Sequence, residues 1–524
     1  MMKTVGEVLI TLLQRRGVEV IFGIPGVHTV EMYRGLDGAG IRHITPRHEQ
    51  SAGFMADGYA RASGKPGVCL LITGPGVTNA ITPMAQARAD SIPMLVISGV
   101  NRVATFGQEE GFLHELPDQQ AMMAQVALLS QTLHRAEDLE RVLDRAFAAM
   151  TGARPGPVHI EVPLDVMKQR IDVPPVRAAI ETCRVPDPTL IIKASADLDT
   201  AKRPLVLAGG GAIGAADEIR ALAEKLDAPV VTTTNARGIL GDHPLRVPAS
   251  PTLPAVRALM ADADVVLAIG TQFGRTDYDM YDDGAAPALA HLIRVDCDAM
   301  QITRGRLPDT AIVADAQLAV EALSQSLQPR TTGGASRADA TRKSALNSLD
   351  DVYRSHIALI DTITQALPGV RIVGDSTQVV YAGNMYADIS QPRGWFNAAT
   401  GYGALGYGAS AAIGAALGDR APTVCITGDG GLQFCLSELG TAVDERTPVI
   451  FLVWNNNGYQ EIERYMRENQ ITPEGVKPSA PDFAAVAKAY GMPAERVEGT
   501  DGLIAALKRA KAAGSAYLID LIVD

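Results

Sequence analysis

Short runs of Val, Ile, Leu and other apolar residues alternate along the chain with stretches in which apolar residues recur at helical spacing. Such runs are typical of strands buried on both faces, and their alternation with helices is the pattern of parallel sheets wound by crossover helices. The pattern predicts an α/β fold of doubly wound domains with parallel sheets. The twelve predicted strands lie at residues 20–23, 68–73, 94–98, 158–162, 205–208, 230–233, 265–269, 292–295, 371–374, 423–427, 449–454 and 517–523.

The chain has 524 residues, which is more than one hydrophobic core ordinarily supports. Two stretches interrupt the pattern: residues 171–189 carry several prolines, and residues 328–343 are rich in Thr, Ser, Gly and Arg. We interpret both stretches as linkers. Three domains result: an N-terminal domain at residues 1–170, a central Rossmann-like domain at 190–327 and a C-terminal domain at 344–524.

Composition and charge narrow the possible functions. Apolar residues make up 47% of the sequence and charged residues 20%, as in ordinary globular proteins. The formal net charge of −12 disfavours binding to nucleic acid or to anionic membranes, since both require clustered Lys and Arg. The five cysteines lie far apart without metal-ligand spacing, which favours reduced, buried thiols. With no apolar stretch of membrane-spanning length, we expect a cytoplasmic protein that acts on a small molecule.

Two glycine-containing loops in the last third carry the strongest chemical signal. Gly428-Asp429-Gly430 follows the predicted strand 423–427, and Asn455-Asn456-Asn457-Gly458 follows the strand 449–454. Because carboxyl ends of parallel strands meet at one edge of a sheet, these loops can form one site. The carboxylate of Asp429, the amide oxygen of Asn456 and the carbonyl of Gly458 suit Mg²⁺ that also binds two phosphate oxygens. Either loop alone would be an ordinary turn.

The two loops, framing a strand–helix–strand unit, resemble the cofactor-anchoring motif of thiamine-diphosphate enzymes. Two segments of the first third, His48-Glu49-Gln50 with the helix that follows and Thr73-Gly74-Pro75-Gly76-Val77-Thr78-Asn79, resemble the pyrimidine-binding domain of the acetolactate synthase superfamily. The similarity covers nearly the whole chain. It implies a pyrimidine-binding N-terminal domain, a diphosphate-binding C-terminal domain, and thiamine diphosphate with Mg²⁺ as cofactors.

The resemblance also implies roles for single residues. Glu49, which could otherwise be an acid favoured by a helix N-terminus, is the catalytic acid that reaches the cofactor of the other subunit. Self-association as a dimer or a tetramer is therefore expected, with active sites at the subunit interface. Leu405 wedges the cofactor into a bent conformation, although core packing would also explain it. The implied cofactor-binding residues are Pro25, Asn79, Ser376, Gln378, Gly403, Leu405, Asp429, Gly430, Gly431, Asn456 and Tyr459.

The central domain contains Gly209-Gly210-Gly211-Ala212-Ile213-Gly214, which matches the Gly-x-Gly-x-x-Gly pattern of dinucleotide-binding turns. No acidic residue closes the next predicted strand, 230–233, where a ribose contact is expected. We therefore predict a tight strand–helix turn without a nucleotide. The segment from Ile269 to Arg275 departs from the arginine-bearing motif with which acetolactate synthases hold a flavin, so FAD binding is doubtful.

Four residues are candidates for binding the substrate or for acting on it. His28 follows the Pro25-Gly26 turn, and His114 occupies the place of a glutamine in acetolactate synthases; we assign both catalytic or substrate-orienting roles. Glu461 replaces an apolar residue that lines the substrate cavity in similar decarboxylases, and an acid there would pair with a cationic substrate tail. The alternative is a solvated helix face. With Glu115 as a second partner, the sequence is most similar to decarboxylases of 5-guanidino-2-oxopentanoate, also called 2-ketoarginine.

Two other functions stay open. The first is a carboligase of the acetolactate synthase or benzoin-forming type, which uses the same cofactor but joins the decarboxylated substrate to a second carbonyl compound. The second is a scaffold subunit without activity that binds a nucleotide through the central glycines. The presence of Glu49, Asp429 and Asn456 speaks against the scaffold.

Overall fold

The structure is a computed structural model that describes residues 2–177, 183–280 and 282–523. In these residues the chain forms three six-stranded parallel sheets, one in each third of the sequence. Apolar cores lie on both faces of the sheets. The prediction of an α/β fold with three parallel-sheet domains is confirmed.

The N-terminal domain contains β1 (Met2–Thr4), β2 (Val20–Phe22), β3 (Arg42–Ile44), β4 (Gly67–Leu71), β5 (Met94–Val100), β6 (Leu129–Thr132), β7 (Pro157–Pro163) and β8 (Arg170–Asp172). Its helices are α1 (Val5–Arg15), α2 (Val30–Tyr33), α3 (Glu49–Ser63), α4 (Pro75–Asn79), α5 (Ile81–Asp90), α6 (Gln119–Ala124) and α7 (Leu139–Thr151). The parallel sheet has the order β3-β2-β4-β5-β7-β6, and β1 pairs with β8 in a small antiparallel sheet. The loops after β2 and β4 therefore lie side by side.

The central domain contains β9 (Pro204–Ala208), β10 (Val230–Thr232), β11 (Arg246–Val247), β12 (Val265–Ile269), β13 (Leu292–Asp296) and β14 (Thr310–Val313). Its helices are α8 (Pro188–Thr200), α9 (Ala216–Leu226), α10 (Pro254–Asp262), α11 (Arg275–Tyr278) and α12 (Ala316–Ser326). The strand order is β11-β10-β9-β12-β13-β14. A short 3₁₀ helix at Gly210–Ala215 follows β9, which agrees with the predicted tight turn.

The C-terminal domain contains β15 (Arg371–Gly374), β16 (Trp395–Asn397), β17 (Thr423–Gly428), β18 (Val449–Asn455), β19 (Ala494–Glu498) and β20 (Tyr517–Ile522). Its helices are α13 (Gly334–Asn347), α14 (Asp351–Ala366), α15 (Gln378–Met385), α16 (Tyr407–Asp419), α17 (Asp429–Gln433), α18 (Glu438–Asp444), α19 (Gln460–Glu468), α20 (Phe483–Ala489) and α21 (Leu503–Ala513). The strand order is β16-β15-β17-β18-β20-β19. The three neighbours β15, β17 and β18 carry the loops that form the site described below.

The twelve predicted strands are all present, and they are the four inner strands of each sheet. The prediction missed the outer strands β3, β6, β11, β14, β16 and β19, together with the pair β1 and β8. Most of the missed strands carry partly exposed residues, such as the alternating burial along β6 and β14. An edge strand is covered on fewer sides and needs no continuous apolar run, so its sequence resembles a loop.

The interpretation of residues 328–343 as a linker is wrong for their second half. Helix α13 begins at Gly334 and buries Ala338, Thr341 and Ala345. Ala338 and Ala345 belong to an apolar core that also contains residues of the central and C-terminal domains. Part of the first predicted linker, residues 178–182, lies outside the described residues.

Helices α3 and α16 join the N-terminal and C-terminal domains with almost no space between their backbones. A Cβ added at Gly58 would lie 2.0 Å from the carbonyl oxygen of Ala411, and one added at Gly414 would lie 1.9 Å from that of Met55. Around this contact the two domains share one apolar core that includes Phe54, Tyr407, Phe396 and Phe483. The glycines thus permit a helix contact that larger residues would prevent.

The five cysteines are all free, as expected, but only Cys69, Cys425 and Cys435 are buried. Cys183 is exposed and Cys297 is half-buried, so the expectation of burial was wrong for these two. Within the described residues, no helix combines the length and the apolar character needed to cross a membrane.

We predict that Gly58→Ala destabilises the protein, since the added methyl group would overlap the backbone of Ala411. Overpacking of this kind costs about 1–3 kcal/mol or more, which exceeds the ~1 kcal/mol that Ala gains over Gly in a helix. Scanning calorimetry should show a Tm several degrees lower. Gly418→Ala on α16 is the matched control, because its added Cβ would approach no atom closer than 3.3 Å. Equal Tm values for both variants would contradict the close helix contact.

Candidate active site

Two loops of the C-terminal sheet meet where the sequence predicts a metal site. β17 ends at Gly428 and the neighbouring parallel strand β18 ends at Asn455. The buried carboxylate of Asp429 accepts a hydrogen bond from the backbone N–H of Gly458 at 2.8 Å. Burial raises the pKa of Asp429, and the N–H of Gly458 partly offsets that rise. A bound cation would compensate the buried carboxylate further.

The glycines of the first loop have no room for a side chain. A Cβ added at Gly430 would lie 2.3 Å from the ring of Tyr459, and one added at Gly431 would lie 3.2 Å from the hydroxyl of Thr427. Tyr459 itself is held by its backbone N–H, which donates to the carbonyl of Val476 at 2.9 Å. The structure thus brings Gly430 and Tyr459, two of the predicted cofactor-binding residues, into contact.

Asn456 is held by Gln378, the first residue of α15, which follows β15 on the far side of β17. Its side-chain amide donates to the Oε1 atom of Gln378 at 3.0 Å, and the indole N–H of Trp454 lies 3.4 Å from the same oxygen. With its N–H groups engaged there, Asn456 has its amide oxygen available for a cation. Within the described residues, no group of three His, Cys, Asp or Glu side chains could hold a metal, so this loop with Asp429 is the candidate.

Asp375 is a buried carboxylate of this site that sequence reasoning missed. It follows β15 directly and accepts the backbone N–H groups of Ser376 at 2.8 Å and Gly408 at 3.1 Å. Burial raises the pKa of Asp375 to about 6. The signal that identified Asp429, an acid directly after an inner strand, was present here too. Asp375 connects the predicted residue Ser376 to the start of α16.

Gly403 and Leu405 lie in the segment that leads into α16. Gly403 has a φ of 78°, and its N–H donates to the carbonyl of Ala398 at 3.1 Å. The next glycine, Gly406, packs so close to Phe434 that an added Cβ would lie 2.7 Å from it. Leu405 is 37% exposed although its two neighbours are buried. It therefore presents an apolar side chain at the surface rather than in a core.

The N-terminal domain brings its predicted residues together at the edge formed by the loops after β2 and β4. Glu49 opens α3, and its Oε2 atom accepts a hydrogen bond from the side-chain amide of Asn79 at 2.9 Å. A Cβ added at Gly76 would lie 3.6 Å from the Oε1 atom of Glu49. Pro25 is exposed in the loop that follows β2.

His28 and His114 form a pair, with ring centroids 5.1 Å apart. The Nδ1 atom of each ring is buried without a hydrogen-bond partner among the described residues. Burial, and next the neighbouring His114, lower the pKa of His28. His114 has a φ of 61°, a conformation that is uncommon for a residue other than glycine. The pair therefore presents two ring nitrogens, one on each histidine, that no described residue engages.

The buried side chain of Gln119 fixes the backbone of two glycines that lie against the histidines. Gln119 accepts the N–H of Gly74 at 3.0 Å and donates to the carbonyl of Gly99 at 3.0 Å. A Cβ added at Gly74 would meet the carbonyl oxygen of His114 at 2.7 Å, and one added at Gly99 would meet that of His28 at 2.6 Å. Gln119 thus positions both histidines, and sequence reasoning gave no sign of it.

Beneath Gln119 lies a second buried polar group. His159 is 2.9 Å from the hydroxyl of Ser98 and 2.9 Å from the hydroxyl of Ser130. Ser98 in turn accepts a hydrogen bond from Gln119 at 3.2 Å. Burial lowers the pKa of His159 to about 3. The imidazole is therefore neutral in the folded protein at neutral pH.

The structure places the two predicted substrate-binding acids in different domains. Glu461 lies in the first turn of α19, where the side-chain amide of Gln378 is 3.4 Å from its Oε2 atom. Glu463 faces other partners, Arg467 at 2.6 Å and Lys477 at 3.5 Å. Glu115 accepts two backbone N–H groups of its own loop, at 2.8 and 2.9 Å. No contact among the described residues joins Glu115 to Glu461.

Within one chain the two groups of predicted residues stay apart. No hydrogen bond, ion pair or ring contact of residues 2–177, 183–280 and 282–523 links Glu49 or the histidine pair to Asp429 or Asn456. The start of α3 is instead held by α18, where Glu438 accepts the backbone N–H of Arg47 at 3.0 Å. Glu49 and the loops after β17 and β18 thus form two separate groups of predicted site residues within one chain.

A separate cavity of about 800 Å³ is lined by residues of all three domains, among them Gly210, Arg154 and Arg393. The glycine-rich turn forms part of its wall. Packing alone explains the first glycine, since a Cβ at Gly209 would lie 2.3 Å from the carbonyl oxygen of Gly270. The absence of a flavin from this domain stays a prediction.

The arrangement of domains agrees with matches to known proteins. The chain matches the N-terminal TPP binding domain of thiamine pyrophosphate enzymes over residues 3–122, their central domain over 191–323 and their C-terminal TPP binding domain over 375–521. The chain belongs to the thiamine pyrophosphate enzyme family. Thiamine pyrophosphate is thiamine diphosphate under another name, so the prediction of this cofactor and of this superfamily is confirmed.

Relatives of this family member cover nearly the whole chain. It is 41% identical to a probable 2-ketoarginine decarboxylase of Pseudomonas aeruginosa, over 99% of this chain and 94% of that protein. It is 30% identical to a probable acetolactate synthase large subunit of Methanococcus aeolicus, over 99% and 92%. It is also 30% identical to the large subunit of acetolactate synthase isozyme 1 of Escherichia coli, over 93% and 88%.

We predict that acid destabilises the protein partly through His159. The unfolded chain binds a proton at this residue below a pH of about 6.5, whereas the folded protein does so only near a pH of about 3. Stability from the neutral, buried ring is fully present above about 6.5 and falls with decreasing pH, by up to ~1.4 kcal/mol per pH unit. His159→Gln can keep the bonds to both serines without titrating. Its Tm, relative to wild type, should therefore rise as the pH falls from 7.5 to 5.5.

The exposed His134 provides the control. His134→Gln should leave the Tm difference from wild type constant over the same pH range. A constant difference for His159→Gln as well would show that His159 does not contribute to the acid sensitivity.

Proposed function

We propose that this protein is a thiamine-diphosphate-dependent decarboxylase that converts 5-guanidino-2-oxopentanoate into 4-guanidinobutanal and CO₂. One observation carries the proposal: the carboxylate of Glu461 lies one amide side chain away from Asn456. Gln378 joins them, because its Oε1 accepts from Asn456 at 3.0 Å and its Nε2 lies 3.4 Å from Glu461. A negative charge beside the metal loop suits a substrate whose tail ends in a guanidinium.

The most similar of the relatives described above supports the same substrate. It is named a probable 2-ketoarginine decarboxylase, and 2-ketoarginine is 5-guanidino-2-oxopentanoate. The acetolactate synthases among the relatives are less similar, at 30% identity against 41%.

The loops after β17 and β18 fit the diphosphate end of the cofactor. Asp429 and Asn456, with the backbone carbonyl of Gly458, offer the oxygen ligands that Mg²⁺ prefers, and phosphate oxygens would complete its shell. Gly430 and Gly431 carry no side chain that would keep a phosphate away from their backbone N–H groups. At Gly430 an added Cβ would also overlap Tyr459. When bound, thiamine diphosphate supplies an electron sink for the electron pair that stays behind when CO₂ leaves a 2-oxo acid.

Glu49 exchanges a proton with the cofactor at the end of the site opposite the diphosphate. The amide of Asn79 binds its Oε2 atom at 2.9 Å, which orients the carboxyl group and leaves Oε1 free. Gly76 lies beside Oε1 and has no room for a side chain, because an added Cβ would lie 2.7 Å from the side chain of Ile72. Oε1, which Asn79 does not bind, is the oxygen through which Glu49 would exchange a proton with the cofactor.

The histidine pair provides the second proton. After CO₂ leaves, the carbon that carried it must take up one proton before the aldehyde can depart. His28 and His114 each keep a buried Nδ1 atom without a partner among the described residues. The lowered pKa of His28 favours its neutral form near pH 7. A proton that the ring takes up is therefore readily passed on, and the ring returns to the neutral form.

We further propose that two copies of the chain build each active site, as a dimer or within a tetramer. Exposed apolar side chains accompany both groups of predicted site residues: Val27 and Leu113 lie next to the two histidines, and Leu405 and Phe434 lie near the metal loops. Exposed apolar residues around a polar site are typical of an interface. The partner copy would bring Glu49 to the cofactor that Asp429 anchors.

An acetolactate synthase is the second candidate, since several relatives carry that name. In that reaction the decarboxylated substrate is joined to a second 2-oxo acid and no proton is taken up at that carbon. The position of Glu461 beside Gln378 favours the decarboxylase instead, because pyruvate has no cationic tail that a carboxylate there could recognise.

We predict that the protein, loaded with thiamine diphosphate and Mg²⁺, releases CO₂ and 4-guanidinobutanal from 5-guanidino-2-oxopentanoate. Mass spectrometry of the products and a coupled CO₂ assay measure this. Glu49→Gln should abolish turnover and keep the circular dichroism spectrum of the wild type. Acetolactate from pyruvate, with no CO₂ from 5-guanidino-2-oxopentanoate, would refute the assignment.

A mixture of two inactive variants tests the shared site. In a hybrid dimer of Glu49→Gln and Asp429→Asn chains, one of the two sites retains both native residues. Random mixing should restore about a quarter of the wild-type activity, since about half of the dimers are hybrids with one intact site. A mixture that stays inactive after subunit exchange would place Glu49 and Asp429 of one chain in the same site.

We predict that Glu461→Gln raises the KM for 5-guanidino-2-oxopentanoate about tenfold or more, since a hydrogen bond between charged groups contributes about 1.5–3 kcal/mol. The KM for the neutral 2-oxohexanoate should change little. Glu463→Gln on the same helix is the matched control, because it makes the same change in charge away from Gln378. Equal effects of Glu461→Gln on both substrates would exclude a charge-pairing role.

A further inference from the structure

A small cavity of about 90 Å³ opens beside Glu461. Its wall includes Asp350, His356, Gln378, Tyr381, Glu461 and Arg464. The side-chain amide of Gln378 connects this cavity to Asn456 in the metal loop. Its Oε1 atom lies 3.0 Å from the side-chain nitrogen of Asn456, and its Nε2 atom lies 3.4 Å from Glu461. The cavity therefore lies next to the place where the substrate tail must end if the proposed function holds.

A guanidinium group already occupies this place. Arg464, one turn further along α19, pairs with the Oε1 atom of Glu461, while Gln378 contacts the Oε2 atom. The same guanidinium also pairs with Glu468 at 3.2 Å through its other terminal nitrogen. Arg464 is thus shared between two carboxylates, one inside the cavity wall and one at the outer end of the helix.

We propose that Arg464 is a resident guanidinium that covers Glu461 in the free enzyme and yields it to the substrate tail. The inference rests on the proposed function and adds a specificity-determining residue to it. The side chain of arginine and the tail of 5-guanidino-2-oxopentanoate end in the same planar, permanently charged fork, so a carboxylate arranged for one accepts the other.

The exchange of Arg464 for the substrate tail costs little free energy, because Arg464 has a second partner. When the substrate takes Glu461, Arg464 keeps its ion pair with Glu468 and its 52% exposed side chain needs no repacking. Glu461 is never left as an unpaired, partly buried carboxylate, neither in the free nor in the bound enzyme. A neutral substrate tail cannot replace Arg464 on the carboxylate, so the pair selects for cationic tails.

The experiment measures KM for 5-guanidino-2-oxopentanoate and for 2-oxohexanoate in four variants. Arg464→Gln removes the competitor and should lower the KM for the cationic substrate about two- to fivefold, the range expected for a partly exposed ion pair. Glu468→Gln removes the alternative partner and should raise that KM by a similar factor. Arg464→Lys, which can still pair with Glu461, should return the KM close to the wild-type value. The KM for 2-oxohexanoate should stay unchanged in all of them.

Arg467→Gln is the matched control, because Arg467 lies on the same helix and pairs with Glu463 instead. It removes the same charge without releasing Glu461. An equal drop in KM for Arg467→Gln would mean a general electrostatic effect and would overturn the proposal. A KM that is unchanged or higher in Arg464→Gln would overturn it too.

Binding of 4-guanidinobutanoate, measured by calorimetry, provides a readout without turnover. Arg464→Gln should bind this compound about two- to fivefold more tightly than the wild type. If the wild type releases no CO₂ from 5-guanidino-2-oxopentanoate, the proposed function fails. If the wild type does so and Arg464→Gln shows neither a lower KM nor tighter binding, the resident guanidinium alone is refuted.

Discussion

The direct contact between α3 and α16 is the constraint on which both groups of predicted site residues depend. Gly58 and Gly414 let the helix backbones touch, so that no adjustable side chain separates them. α3 begins with Glu49, and α16 begins two residues after Leu405. One close backbone contact therefore constrains the orientation of Glu49 and of the segment that contains Leu405.

A buried ion pair strengthens the same contact. Arg61 on α3 pairs with Asp57 at 2.6 Å and with Asp90 at 2.7 Å, all three side chains being buried. Tyr407, the first residue of α16, donates its hydroxyl to Asp57 at 2.6 Å. Removing Arg61 would leave two buried carboxylates without their common partner, so the group favours one relative placement of the domains.

Buried carboxylates organise the loops around the site in a common way. Asp375, Asp429 and Glu438 each accept at least one backbone N–H from another segment, and burial raises the pKa of each. Backbone donors stabilise such a carboxylate without a second charged side chain. The loops are thereby held together by hydrogen bonds between segments that are distant in the sequence. Glu461 differs, since its partner is a side chain that can move away.

The sequence by itself determined the inner strands, the family and the loops that carry Asp429, Asn456 and Glu49. Strands buried on both faces need continuous apolar runs, and strand-end loops with glycine are local patterns. Both can therefore be predicted from the sequence. Only the tertiary structure revealed the outer strands, the helix at residues 334–347, and the contacts of Asp375, Gln119 and Arg464. Edge strands lack a continuous apolar run, and a hydrogen-bond partner can come from any distant segment, so packing alone decides which side chains meet.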